Sequence, residues 1–125
     1  MKPIAIALVA AAALALTPSP VVAKVPSGTF KGKVTSGFLA STWTMTFYRH
    51  GTRIKVKSRF GTSVGRTRFR GSTVTFDRES GLESVCHRKA GKYSYTLRRG
   101  ILRMRVLRDS CRPRRKMTTI RYRKV

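Results

Sequence analysis

Five stretches of this chain alternate cations with apolar or small residues. Phe30, Gly32 and Val34 alternate with Lys31 and Lys33, and Ile54 and Val56 with Lys55 and Lys57. Thr67 and Phe69 alternate with Arg68 and Arg70, Leu102, Met104 and Val106 with Arg103 and Arg105, and Ile120 and Tyr122 with Arg121 and Arg123. A period of two belongs to the β-strand, whose successive side chains leave on opposite faces. A disordered polycation has no reason to keep that period. A half-buried sheet does: one face makes a core, and the cations stay in water while their aliphatic stems cover the sheet.

Glycines at 37, 51, 61, 65, 71, 81, 91 and 100 separate short runs rich in β-branched and aromatic residues, and no interval carries a long stripe of helical period. Strands are expected at 29–34, 41–48, 52–60, 62–70, 72–77, 91–98, 101–107 and 116–124. In 41–48, Trp43, Met45 and Phe47 share a face. Gly65 reads as a bulge, because Val64 and Phe69 fall on opposite parities. Residues 91–107 form a hairpin around Arg99-Gly100, and 78–90 is the long non-strand connection. About eight strands on short turns predict an all-β fold, a meandering antiparallel barrel, since closure removes exposed edges.

Residues 1–23 read as a secretory signal peptide, with Lys2, an apolar run from Ile4 to Leu16, and small residues Val21 and Ala23 before the cut. The run is shorter than the ~20 residues a spanning helix needs, and no later segment is apolar for long enough. The expectation is one domain, 24–125, that is monomeric, without a transmembrane span, and secreted or periplasmic. In that compartment Cys86 and Cys111 are expected to form one disulfide. Zinc is the competing use of the cysteines, but adjacent Cys86 and His87 chelate poorly and only His50 remains to help.

Lysine and arginine total 28 against four acids, a net charge of +24. Such a field draws polyanions: nucleic acid, anionic headgroups or acidic wall polymers. The alternative is a solubility or composition trait with no dedicated partner. The candidate polyanion-binding residues are Lys31, Lys33, Lys55, Lys57, Arg68, Arg70, Arg103, Arg105, Arg121 and Arg123 on strands, with Arg98, Arg99, Arg112, Arg114, Arg115 and Lys116 in turns and loops. Trp43, Phe47, Phe76, Tyr93, Tyr95 and Tyr122 fall on the opposite, inner face, as core or pocket lining rather than as base-stacking platforms. No recognised nucleic-acid module is present, so any nucleic-acid binding is expected to be nonspecific and salt-sensitive.

The stretches "FDRESG" (76–81), "GKYSYTL" (91–97), "GILRMRV" (100–106) and "DSCRPR" (109–114) resemble the tail of small, exported, lipocalin-like bacterial proteins. Gly91, Tyr93, Tyr95, Leu97, Gly100, Leu102, Met104, Val106, Asp109, Cys111 and Arg114 fit that layout, and "TFYRHGTRIKV" (46–56) is similar to an earlier hairpin. Tyr95 stands where tryptophan is usual, and the exposed positions are basic where acids or threonine are usual. The resemblance implies an eight-stranded, lipocalin-like barrel, a fold that hosts many roles.

Groups for acid–base chemistry are few. Glu79, Glu83 and His87, spaced by four, would align on a helix, which makes a small basic ribonuclease the sharpest enzymatic alternative; Gly81 interrupts that helix. No nucleophile elbow, phosphate loop or zinc-protease motif occurs. Asp109 reads as a turn cap or a partner for Arg114. The expected function is an exported, non-enzymatic binding protein, without cofactor or metal, that contacts an acidic polymer or anionic surface. The alternative is a carrier of a small hydrophobic ligand.

Overall fold

The computed structural model of the protein describes residues 24–81, 86 and 89–125. The segment 1–23, Glu83 and His87 lie outside the described residues. Eight strands form one closed antiparallel barrel in simple sequential order: β1 (Gly28–Val34), β2 (Ser41–Tyr48), β3 (Arg53–Ser58), β4 (Gly61–Arg70), β5 (Thr73–Gly81), β6 (Gly91–Arg98), β7 (Ile101–Arg108) and β8 (Tyr122–Lys124). A short helix, α1 (Arg112–Thr118), lies between β7 and β8. Cys86 and Cys111 are joined in a disulfide.

The alternation sorts as expected. Phe30, Met45, Phe47, Ile54, Val74, Tyr93, Tyr95, Leu102 and Tyr122 are buried inside, while all ten cations of the five alternating pairs lie on the outside. Arg99 and Gly100 both take positive φ, at 52° and 76°, which is the backbone of a tight turn matched to strand twist.

The structure corrects the sequence-based expectation at four places. First, residues 116–124 do not form one strand. Pro113 is tolerated in a first helical turn, and Arg114, Met117 and Thr118 share the buried face of α1, so a helix replaces the first half. Second, β5 continues to Gly81, because Ser80 and Gly81 still pair with Val64 and Ser63. Third, the irregularity opposite Gly65 places its extra residue on β5: β4 keeps its alternation with Val64 outward, while Arg78, at φ 51°, resets β5 so that Glu79 faces inward. Fourth, the alternation of β7 stops after Val106: Val106 still pairs with buried Tyr93, on the face of Leu102 and Met104, but it is 43% exposed, and Lys92 pairs with Arg108, which leaves Leu107 as an extra residue.

The two ends of the barrel differ. At the end where β2, β4 and β6 finish, aromatic rings fill the interior edge to face: Phe30 on Phe47 at 6.0 Å, Phe47 on Phe69 at 5.9 Å and Phe69 on Tyr95 at 5.2 Å. Buried Pro26 belongs to the incoming segment there, and the Tyr95 hydroxyl donates to the Lys24 carbonyl at 3.2 Å. Gly51, at φ 78°, belongs to the same closure: a Cβ there would stand 2.5 Å from Val25 Cγ1. The opposite end, where β1, β3, β5 and β7 finish, carries α1 and the disulfide and is not filled.

Candidate binding surfaces: a cationic wall and a cavity at one barrel end

On the outer wall, hydroxyls separate many of the cations across strands. Lys31 pairs with Thr44, Thr44 with Lys57, and Lys57 with Thr62. Arg70 pairs with Thr73, Thr73 with Ser94, and Ser94 with Arg105. Such spacing limits the repulsion that like charges suffer when directly opposite. The described acids do not neutralise this wall. Asp77 is held by Arg66 through two hydrogen bonds of 2.9 Å, while Glu79 and Asp109 are both held by Arg114.

The separation fails where Arg53 pairs with Arg66, which Asp77 holds, where Lys92 pairs with Arg108 at the β7 irregularity, and at the seam that closes the barrel. Lys31 stands directly opposite Arg123. Around them, Lys33, Arg121 and Lys124 line a shallow depression with bare Gly32 in it. A Cβ on Gly32 would lie 2.7 Å from the Arg121 carbonyl oxygen, so the missing side chain lets the two strands approach. Among the described residues these cations form no ion pair.

The unfilled end of the barrel contains a cavity of about 220 Å³. Its apolar lining comes from Leu39, Trp43, Met45, Val56, Phe60 and Met117, with Phe38 at the rim. The Trp43 indole donates to the Leu39 carbonyl at 3.0 Å, which ties the β1–β2 loop to the cavity wall. The polar part of the lining is made by Glu79 near the end of β5 and by Arg114 and Thr118 on α1.

Glu79 and Arg114 belong to a buried charge network. Arg114 Nε donates to Asp109 Oδ2 at 2.7 Å and Nη2 to Asp109 Oδ1 at 2.8 Å. Nη2 also donates to the Lys89 carbonyl at 2.8 Å and Nη1 to Glu79 Oε1 at 2.7 Å. The Tyr93 hydroxyl and the Cys111 amide donate to the Asp109 carboxylate. Burial pushes the Asp109 carboxyl up, but the hydrogen bonds from Arg114, Tyr93 and Cys111 outweigh it and hold it below the usual aspartate value. For Glu79 burial wins over its bond to Arg114, and its pKa is raised. Burial, then the bond to Asp109, raises Tyr93.

Of the aromatic residues expected to line a pocket, Trp43 and Phe76 do so, whereas Phe47, Tyr93, Tyr95 and Tyr122 belong to the packed interior. Arg114 is not on the cationic wall. It is 5% exposed and fully engaged with carboxylates, so it drops out of the candidate polyanion-binding residues. Arg98, Arg99, Arg112 and Lys116 are exposed and Arg115 is half-buried. Glu79 points at Arg114, and the remaining members of the ribonuclease-like set, Glu83 and His87, are outside the described residues. Among the described residues, no three of His, Cys, Asp and Glu converge as a metal site, and no helix is long and apolar enough to cross a membrane.

Phe38, Leu39 and Phe60 line the cavity without having been expected to from the sequence. The signal was present in "SGFLAS" and "SRFGT", where large apolar side chains occupy turn positions that polar residues usually take. No protein-family model, no curated protein and no solved structure matches the chain.

Proposed function

We propose that this is an exported, non-enzymatic, lipocalin-like protein whose cationic exterior binds an acidic polymer or an anionic surface. The β8–β1 seam carries this reading. Lys31 opposite Arg123, with Lys33 and Arg121 beside them, is a concentration of like charge that destabilises the sheet on its own. Anionic groups lying along the seam relieve that repulsion and release counterions. Binding to a sulfated polysaccharide and to duplex DNA is expected to fall steeply with salt. Changing Lys31 and Arg123 to Gln should make the slope of log affinity for DNA against log salt shallower by about 1 for each phosphate no longer neutralised. Weak binding with a flat salt response refutes the reading.

The cavity supports a second reading, a carrier of a small hydrophobic molecule. Its volume of about 220 Å³ exceeds the ~150 Å³ of an apolar cavity that holds benzene. Trp43 lines it and is the chain's one tryptophan, so its emission reports occupancy. Titration with one- and two-ring hydrocarbons should shift that emission. Val56→Phe, which fills the cavity, should abolish the shift. An unresponsive Trp43 refutes this second reading.

A further inference from the structure

Phe38 is 82% exposed at the tip of the loop between β1 and β2. A ring left so far in water adds little to the fold through burial. It is nevertheless held in place. It stacks on Phe60 at 5.6 Å and 23°, and Phe60 in turn lies 6.0 Å from Trp43. The Arg59 guanidinium lies over the Phe60 ring at 4.6 Å and reaches the Phe38 carbonyl at 3.5 Å. On the other side, Lys116 Nζ comes within 2.8 Å of where a Cβ on Gly37 would stand. Lys33 and Lys57, near the ends of β1 and β3, belong to the same end of the barrel.

An aromatic tip ringed by cations has the chemistry of an interfacial anchor. The apolar ring enters the headgroup boundary, and the ammonium and guanidinium groups meet lipid phosphates. Single-stranded nucleic acid fits less well. It needs successive free ring faces along a groove, whereas Phe38 and Phe60 cover each other and stand at a loop tip. The apolar surface also continues inward, from Phe38 through Leu39 and Trp43 into the cavity. Hydrocarbon suits that continuity, and a polyanion does not.

We propose that the barrel end carrying Phe38, Arg59 and Lys116 docks on an anionic lipid bilayer, with Phe38 inserted and the cavity mouth turned to the membrane. This rests on the reading of the exterior as an anion-binding surface and names its partner. Docking in this orientation gives an apolar cargo a path between bilayer and cavity that avoids water.

The test uses the protein as secreted by an expressing host, in flotation with phosphatidylcholine vesicles with and without phosphatidylglycerol. Binding is expected only with the anionic lipid. Phe38→Ala should weaken it about tenfold, with an unchanged melting temperature and unchanged binding to a sulfated polysaccharide. Brominated acyl chains should quench Trp43. If Phe38→Ala binds vesicles like the parent and Trp43 is not quenched, the docking face is refuted while the anion-binding reading stands. If Phe38→Ala instead loses affinity for single-stranded DNA and keeps its affinity for vesicles, the rim is a base-stacking site and the proposal is overturned. If neither vesicles nor polysaccharide bind at low salt, the underlying reading fails with it.

Discussion

Arg114 grips Asp109 with two parallel hydrogen bonds, 2.7 Å from Nε and 2.8 Å from Nη2, and their side chains are 5% and 0% exposed. A strongly basic surface thus encloses one arginine that is part of the interior. Removing one member of such a pair leaves the other charged and buried, which costs roughly 3–5 kcal/mol. Arg114→Ala should therefore lower unfolding stability by that order in chemical denaturation. The triple change Asp109→Leu, Arg114→Met and Glu79→Gln should recover much of the loss, since it removes both carboxylates that Arg114 holds along with the guanidinium.

The acid limb of stability should be set by the same carboxylate. The folded pKa of Asp109 lies below its ordinary value, so its contribution is present above about pH 4 and is lost as pH falls through the lowered value. Asp77, held by Arg66, acts in the same direction. Glu79 acts oppositely: its folded pKa is raised, so its contribution is present below its unfolded value and is lost as pH rises through the raised one. Melting temperatures measured across this range should show a shallower acid limb in Asp109→Asn. Glu79→Gln should keep the acid limb and remove the decline on its high-pH side. Equal profiles for parent and Asp109→Asn would contradict the assignment.

Most of the barrel was legible because its wall is written in a period of two. Lys55, Lys57, Arg103 and Arg105 each declare an outside, and Ile54, Leu102 and Met104 an inside. What was not legible depends on breaks in that period. Arg78 resets β5 through one left-handed residue, and only that reset turns Glu79 to Arg114, a residue 35 positions away. Arg114 carried two readings in the sequence, a surface cation within "RPRRK" and a partner for Asp109, and the structure keeps the second. Its burial is set by the helical period of α1, which places Arg114 and Met117 on the same face. The hollow end of the barrel was equally hidden, because filling depends on which layer each aromatic residue occupies, and alternation assigns only its side.

Gly91 should not tolerate a side chain, for a steric reason. A Cβ there would stand 2.5 Å from Asp109 Oδ2 and 2.9 Å from Arg114 Nε. Both atoms are pinned by their own hydrogen bonds and cannot yield without breaking the network. Gly91→Ala is expected to cost about 1–3 kcal/mol, the range for overpacking a filled interior. Combining it with the triple change at positions 79, 109 and 114 should be less than additive, because the obstacle is then altered. A neutral Gly91→Ala would show that the network is looser than its distances imply.

The disulfide ties Cys86 to Cys111 across 25 positions of sequence, with both residues buried beside the Asp109 network. In the chain-entropy account a loop of this length stabilises by about 3 kcal/mol. Reduction, or the double change to Ser, should lower the denaturation midpoint accordingly. It should also release the Cys86 segment, so protease cleavage between β5 and β6 is expected to precede global unfolding. A reduced protein as resistant to protease as the oxidised one would argue that β5 and β6 hold the segment without help.

Barrel closure should depend on Tyr122. The last strand has only three residues, and it contributes two paired positions to β1 and two to β7. Across the β1 side Lys31 meets Arg123, so charge works against the seam. Tyr122 offsets this from inside: it is 0% exposed, and its hydroxyl donates to the Met117 carbonyl at 2.8 Å, linking β8 to α1. Tyr122→Phe removes only that hydrogen bond and should cost about 1 kcal/mol. Tyr122→Ala also leaves a cavity under the shortest strand and should cost about 3–5 kcal/mol. The two effects separate in hydrogen exchange. With Tyr122→Ala, amides of β1 and β7 that face β8 should lose protection before those of β3 and β4, and the freed edges should promote concentration-dependent association. Uniform loss of protection around the barrel would mean that closure and folding are one event, and that the seam is no weaker than the rest of the wall.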